Sequence, residues 1–270
     1  MTAPKIDHAK GILNPHVAEK MFNLTRHLPS TELAFFIEWY WIIHWDLRGK
    51  EPHKQDVLPY PSVNLAIEKS QSGIFGVVTG KFSRELVGEG RVVAAKFRPG
   101  AFYPYAQRPI SQFTNKTTSL FNVFGGEGDQ LEKSILAIES DDEALMRLEN
   151  FLFERLPEHD PNVVTVNEII DMVIADRNIT RVDELVSRLN MNKRSLQRLF
   201  NQYVGVSPKW VIQRYRLQDA ADQLIKDHTT DCTDMALRLG YFDLAHFIKD
   251  FKTIVGLSPT EYARHASPSS

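Results

Sequence analysis

Leu185-Val186-Ser187-Arg188-Leu189-Asn190-Met191-Asn192-Lys193-Arg194-Ser195-Leu196-Gln197-Arg198-Leu199-Phe200 decides the fold. Met235-Ala236-Leu237-Arg238-Leu239-Gly240-Tyr241-Phe242-Asp243-Leu244-Ala245-His246-Phe247-Ile248-Lys249-Asp250-Phe251 writes the same pattern again. Val186 and Asn190 map 50 positions on, to Ala236 and Gly240, while Phe200, Gly205 and Pro208 map 51 positions on, to Phe251, Gly256 and Pro259. The one-residue slip falls in the turn, where an insertion is easiest. Each copy has the parts of a helix-turn-helix. A small or β-branched residue, Val186 or Ala236, sits where two helices must approach. Four residues on comes Asn190 or Gly240, the types that best tolerate a left-handed turn. Asn192 or Asp243 then supplies an N-cap. Gly-x-Ser-Pro closes each copy and predicts a further helix, with Ser as cap and Pro at its first position.

In the first copy Leu196, Leu199, Phe200 and Tyr203 recur at helical spacing and form one buried face. Lys193, Arg194, Gln197, Arg198 and Asn201 occupy the remainder: three cations, two amides and no acid. Such a surface suits a polyanionic groove with hydrogen-bonding base edges. A three-cation helix face is ordinarily just solvated. Two copies in register, each with turn residue, cap, Phe and Gly-x-Ser-Pro, make coincidence a poor account.

Val166 to Arg264 resembles the DNA-binding domain of the AraC/XylS family of transcription regulators. Gly240-Tyr241-Phe242-Asp243, Phe247, Phe251-Lys252, Gly256-Leu257-Ser258-Pro259 and Tyr262 carry the resemblance, with Lys209 to His228 as the helix joining the modules. Val186 departs from the family's usual Ala, and Asn190 from its usual Gly. The resemblance implies that both recognition helices enter successive major-groove faces, about 34 Å apart. By family position Arg194, Gln197 and Arg198 are base contacts, whereas Lys193 and Asn201 fit phosphate. Arg reads guanine and Gln reads adenine. Ala245, His246 and Lys249 are the matching positions of module two, with Lys252 beside them. Its recognition segment is charge-balanced, with Asp243 and Asp250 against Lys249 and Lys252, so module one is expected to discriminate most. For His246 an exposed residue without a partner is an equal reading.

Outward from the repeat, the chain has 270 residues, 43% hydrophobic and 24% charged, which suits a folded protein of two domains. No apolar run reaches the roughly 18 residues of a membrane span. Met1 to Lys20 does not read as a signal peptide. The expected compartment is therefore the cytoplasm, with no membrane partner. A net charge of −2 gives no basic stripe, so any positive DNA-binding surface must be local. One cysteine, Cys232, excludes an intramolecular disulfide, thiolate zinc fingers and Cys-x-x-Cys redox chemistry; its expected role is a small buried hydrophobe.

The first half reads as β. Phe35 to Trp45, Val57 to Glu68 broken by Pro59 and Pro61, Gly73 to Val78, and Arg91 to Phe97 are short aromatic or β-branched runs between Gly and Pro turns. Their spacing predicts a small sandwich or barrel. Residues 129–138 and 141–156 have helical spacing, and Pro157 to Asn162 reads as a linker. The fold class expected is α+β in two domains: residues 1–156 as a β-rich domain with a helical hairpin, 157–162 as linker, and 163–270 as an all-α tandem helix-turn-helix domain with a frayed tail from His265 to Ser270.

His27-Leu28-Pro29, Trp39-Tyr40-Trp41, Leu58-Pro59 and Phe97-Arg98-Pro99-Gly100-Ala101 loosely resemble the regulatory domains found ahead of such DNA-binding domains. That resemblance implies a cupin-like barrel that senses a small-molecule effector or forms a homodimer. Strand alternation places Trp39, Trp41 and Trp45 on one face. With Tyr60 and Tyr103 they line either a ligand pocket or, as Trp stripes more often do, the core; Arg98 would anchor an acidic ligand or hold its own turn. No His-x-His occurs, so no catalytic metal or cofactor is expected, and Ser-His-Asp chemistry has no local signature. The expected function is a DNA-binding transcription regulator, not an enzyme, with double-stranded DNA as partner and RNA polymerase also if it activates. The competing reading is an N-terminal enzyme or carrier domain fused to a DNA-binding module.

Overall fold

A computed structural model describes residues 15–69, 71–227 and 231–266. His228, the expected end of the linking helix, the Ser/Pro tail beyond residue 266 and most of the segment read for a signal peptide lie outside them. The chain runs α1 (Pro15–Met21), β1 (Asn23–His27), β2 (Ile37–Asp46), β3 (His53–Val57), β4 (Asn64–Glu68), β5 (Gly73–Phe75), β6 (Phe82–Leu86), β7 (Glu89–Phe97), α2 (Tyr103–Ala106), a 3-10 turn (Ile110–Gln112) and β8 (Thr117–Thr118). Helices follow: α3 (Leu120–Phe124), α4 (Gly126–Ala137), α5 (Asp141–Phe153), α6 (Pro161–Ala175), α7 (Val182–Val186), α8 (Lys193–Tyr203), α9 (Pro208–Lys226), α10 (Cys232–Arg238), α11 (Leu244–Val255) and α12 (Pro259–Ala266). The architecture is the expected α+β pair of a strand-rich and a helical domain.

Six strands form one antiparallel sheet in the order β1-β2-β7-β4-β5-β8, and β3 pairs β6 in a separate two-stranded ribbon. The expected run from Val57 to Glu68 is two strands, because Pro59 and Pro61 cannot donate to a ladder and fall between them. Alternation along β2 sorts its side chains. Tyr40 and Ile42 join Leu65, Ile67, Val93, Ala95 and Phe97 in the core beneath α4 and α5, whose Leu131, Ile135, Leu148 and Phe151 close that face. Trp41 and Trp45 point the other way, onto Ala66, Val92 and Ala94.

That core does not stop at the domain boundary. Val166 and Ile169 of α6, Leu196, Phe200 and Tyr203 of α8, and Val211 of α9 belong to the same continuous cluster as Phe97, Phe102 and Phe113. Gly205 makes this junction tight. It has φ of +87°, and a Cβ there would lie 2.9 Å from the Ile110 carbonyl oxygen. The Thr114 hydroxyl donates to the Gly205 carbonyl at 2.6 Å. The second module has a core of its own, built on Leu217, Met235, Phe247, Phe251 and Tyr262, into which Leu58 reaches from the β domain.

The segment between α5 and α6 is pinned. His159 stacks on Phe35 with ring centroids 4.0 Å apart. Asp160 caps α6 by accepting from Asn162 N at 2.8 Å, and it also accepts from the Tyr203 hydroxyl at 2.6 Å.

Candidate nucleic-acid interface and apolar cavity

The first helix-turn-helix is α7 and α8. The Glu184 carboxylate accepts from Thr180 N at 2.7 Å and Arg181 N at 3.0 Å, and these backbone donors hold its pKa below the usual carboxylate value. Asn192 caps α8 as expected, its Oδ1 accepting from Ser195 N at 2.9 Å. Leu196, Leu199, Phe200 and Tyr203 are buried. Lys193, Arg194, Gln197, Arg198 and Asn201 are all exposed. Arg194 and Arg198 make no ion pair among the described residues. Lys193 is held 2.9 Å from Asp183, and the Asn201 amide oxygen accepts from the Ser111 hydroxyl of the β domain at 3.2 Å. One expectation for the turn fails. Asn190 is not among the residues of positive φ, because 187–190 are a run of ordinary turn residues ahead of the cap.

The second module is α10 and α11. Gly240 does take the left-handed conformation, at φ +81°, and a Cβ there would meet the Thr180 hydroxyl at 2.9 Å. Asp243 caps α11 through His246 N at 2.7 Å. Phe247, Phe251, Ile254 and Val255 are buried, while Ala245, His246, Lys249 and Lys252 are exposed. Asp250 accepts from Gln213 of α9 at 3.1 Å. Cys232 is half-buried at the start of α10, and burial raises its thiol pKa. Phe242, which the sequence reading passed over, precedes the cap and is 94% exposed. Its signal was an aromatic residue placed immediately before an N-cap.

The closing Ser-Pro pairs behave alike. Ser207 Oγ accepts from Trp210 N at 3.2 Å to start α9. Ser258 Oγ accepts from Glu261 N at 3.3 Å while the Glu261 carboxylate accepts from Ser258 N at 2.8 Å, a reciprocal capping box on α12. Between the modules, α9 buries Arg216, which pairs with Asp219 at 2.8 Å and donates to the Val173 carbonyl.

Behind this surface, the open face of the six-stranded sheet and the β3/β6 ribbon enclose a cavity of about 260 Å³. Trp39, Trp41, Trp45 and Tyr60 line it, as do Phe75 and Phe82. Lys96 enters it from β7, in salt bridge with Glu38 at 2.9 Å and with its Nζ 4.1 Å and 4.0 Å from the ring centroids of Trp39 and Tyr60. Burial pushes the Lys96 ammonium down to about 8. Glu68, also in the lining, pairs with Arg84. Arg98 and Tyr103 lie outside the cavity. Arg98 donates to the Ala34 carbonyl at 2.8 Å, so it fastens its own turn. Tyr103 packs on Tyr203 and accepts from Gln202 at 2.7 Å, so it belongs to the junction with α8. Lys96 was missed although it is a lone cation inside the apolar run Val92 to Phe97.

The cavity's rim touches the helical domain at three points. Arg214 Nε of α9 donates to the Pro59 carbonyl at 2.7 Å. Trp210 Nε1 donates to the Thr79 carbonyl at 2.9 Å. Lys81 N donates to the Thr253 carbonyl of α11 at 2.8 Å.

Two capped helical pairs joined by one long helix define the class: this is a chain with a tandem helix-turn-helix. Residues 185–265 match the model of a helix-turn-helix domain, and the domain is of the AraC type. Residues 25–119 match a domain of unknown function, DUF6597. An uncharacterized HTH-type transcriptional regulator of Haemophilus influenzae is 32% identical over 99 residues, 37% of this chain and 33% of that protein. The HTH-type transcriptional regulator MtrA of Neisseria gonorrhoeae is 32% identical over 99 residues, 37% of this chain and 32% of that protein. The chain thus spans about a third of the length of these curated relatives. Among solved structures, a probable AraC family transcriptional regulator from Rhodopseudomonas palustris has 26% identity over 37% of this chain and 94% of that one, with a TM-score of 0.34.

Proposed function

We propose that this chain is a cytoplasmic, sequence-specific DNA-binding transcription regulator whose β domain receives a small molecule in the Trp-lined cavity. The observation that carries the reading is the exposed row Arg194, Gln197 and Arg198 on a capped helix, in the same register as Ala245, His246 and Lys249 one repeat later. Cations and an amide on a helix face are the donors that guanine and adenine edges accept in a major groove. Lys193, Asn201 and Lys252 flank that row and fit phosphate, which positions without specifying. No catalytic step is part of the proposal. Exposed Leu136, Met146 and Phe153 on α4 and α5 support a homodimer through these helices. If the protein activates, RNA polymerase is its further partner.

Control would run through the rim. Pro59 and Thr79 stand beside the cavity and grip α9, while Lys81 grips α11, so a change in the cavity wall reaches the spacing of the two recognition helices. Selection of bound duplexes from a random pool tests the reading. A conserved motif in two parts one helical turn apart is expected; recovery of unrelated sequences overturns it.

A further inference from the structure

Three features of the cavity bear on what it holds, given the proposed ligand site on which this inference rests. Its walls are aromatic and aliphatic: Trp39, Trp41 and Trp45 from one strand, with Phe75 and Phe82 opposite. Its charge is unbalanced. Arg26, Arg84 and Lys96 line it against Glu68 alone, and Glu68 is already taken by Arg84. Its end at Tyr60 is backed by another cation. The Arg214 guanidinium, 1% exposed, lies 4.1 Å from the Tyr60 ring centroid and makes no ion pair among the described residues. It has only the Pro59 carbonyl and the Gln218 amide oxygen as acceptors, and its Nη2 has no partner.

Three cations, Lys96, Arg26 and Arg214, therefore converge on this end with one carboxylate, Glu38, among them. Excess buried charge of one sign is costly in a medium of low dielectric. A bound cation would add to that cost, and a neutral ligand would leave it unchanged. An anion removes it. Donors are also to hand. Tyr60 Oη is buried without a partner, and the Lys96 ammonium has three N–H groups, of which Glu38 engages one side. The volume sets the size: at about 30 Å³ per water-sized portion, the space suits a body on the order of ten non-hydrogen atoms.

We propose that the cavity binds a small organic carboxylate with an aromatic or hydrocarbon body, its head at Lys96 and Tyr60 and its body against Trp39, Trp41 and Trp45. The Tyr60 ring, in contact with both Lys96 and Arg214, then lies between the bound anion and α9.

The test uses the full chain and three probes sharing one phenylpropyl body: phenylpropanoate, phenylpropanol and phenylpropylammonium. Binding is read by calorimetry and by tryptophan emission, since three of the four Trp line the cavity. The carboxylate should bind at least about tenfold tighter than the alcohol, the worth of a charge-assisted hydrogen bond, and the ammonium should not bind. Tyr60→Phe, which keeps the ring and removes the hydroxyl, should weaken the carboxylate and leave the alcohol unchanged. Alcohol or ammonium binding as tightly as the carboxylate overturns the anion assignment while leaving the cavity a ligand site. No response to any probe at millimolar concentration removes the ligand site itself, and the assignment with it.

Discussion

The two reading modules share a plan and differ in what holds them and in what they present. Module one packs into the core of the β domain, so that Leu196 and Phe200 are continuous with Phe97 and Phe113. Module two closes its own core on Phe247 and Phe251 and meets the β domain through Leu58 and the Lys81 contact. Module one presents cations and amides with no acid in its recognition face; module two presents Ala245, His246 and two lysines beside Asp243 and Asp250. The helix with the richer reading chemistry is thus the one whose position the β domain fixes most firmly. A duplicated motif has diverged into an anchored reader and a more independent one.

The largest test of that contrast is to open each core. Phe200→Ala and Phe251→Ala each remove a fully buried ring, at a cost of about 3–5 kcal/mol. Hydrogen exchange should show Phe200→Ala loosening α8 and β7 together. Phe251→Ala should loosen α10 to α12 while β7 stays protected. Equal loosening of β7 in both would erase the distinction.

Next in size is base reading. Arg194→Ala should lose about 1–3 kcal/mol at one base pair, as for a bidentate contact, seen as relaxed preference at that position in competition binding. An unchanged preference would leave module one without its assigned role. Lys249→Ala should act more weakly and on all sequences alike, lowering the slope of log affinity against log salt by about 1. A site-specific loss there would move discrimination into module two.

The smallest effect is acid sensitivity. Backbone donors of Thr180 and Arg181 hold Glu184 low in module one, and the side chain and backbone of Ser258 hold Glu261 low in module two. A depressed carboxylate contributes stability that is full above its unfolded pKa, about 4.3, and is lost as pH falls through the lower folded value. Both caps should therefore weaken only in that acid window. Glu184→Gln should flatten the loss in α7 alone, read by exchange near pH 4 and below; a matching change in α12 would mean that the modules are coupled.

Local chemistry was legible in the sequence where it is local in space. The caps Asn192, Asp243, Ser207 and Ser258, the left-handed Gly240 and the three-Trp face of β2 all arise from spacing of a few residues. Asn190 misled because tolerance of positive φ is a permission, and the turn of module one has no need of it. The strands β3 and β6, His-Lys-Gln-Asp-Val and Phe-Ser-Arg-Glu-Leu, carry too few apolar residues to announce themselves, since they cover a cavity and face solvent. Arg98 and Tyr103 were grouped with the pocket on residue type; their partners, Ala34 and Gln202, are 64 and 99 positions away in the chain and unreachable from pattern.

The stitched seam between Gly100, Val166 and Tyr203 bears on any attempt to build a chimaera from this molecule. A reader excised at Val163 would carry an oily flank shaped to one particular saddle. Grafted behind a foreign sensor, it would stay sticky unless the host supplied the matching relief. Swapping specificity should therefore succeed by rewriting the outward row of α8 in place and fail by transplanting whole halves.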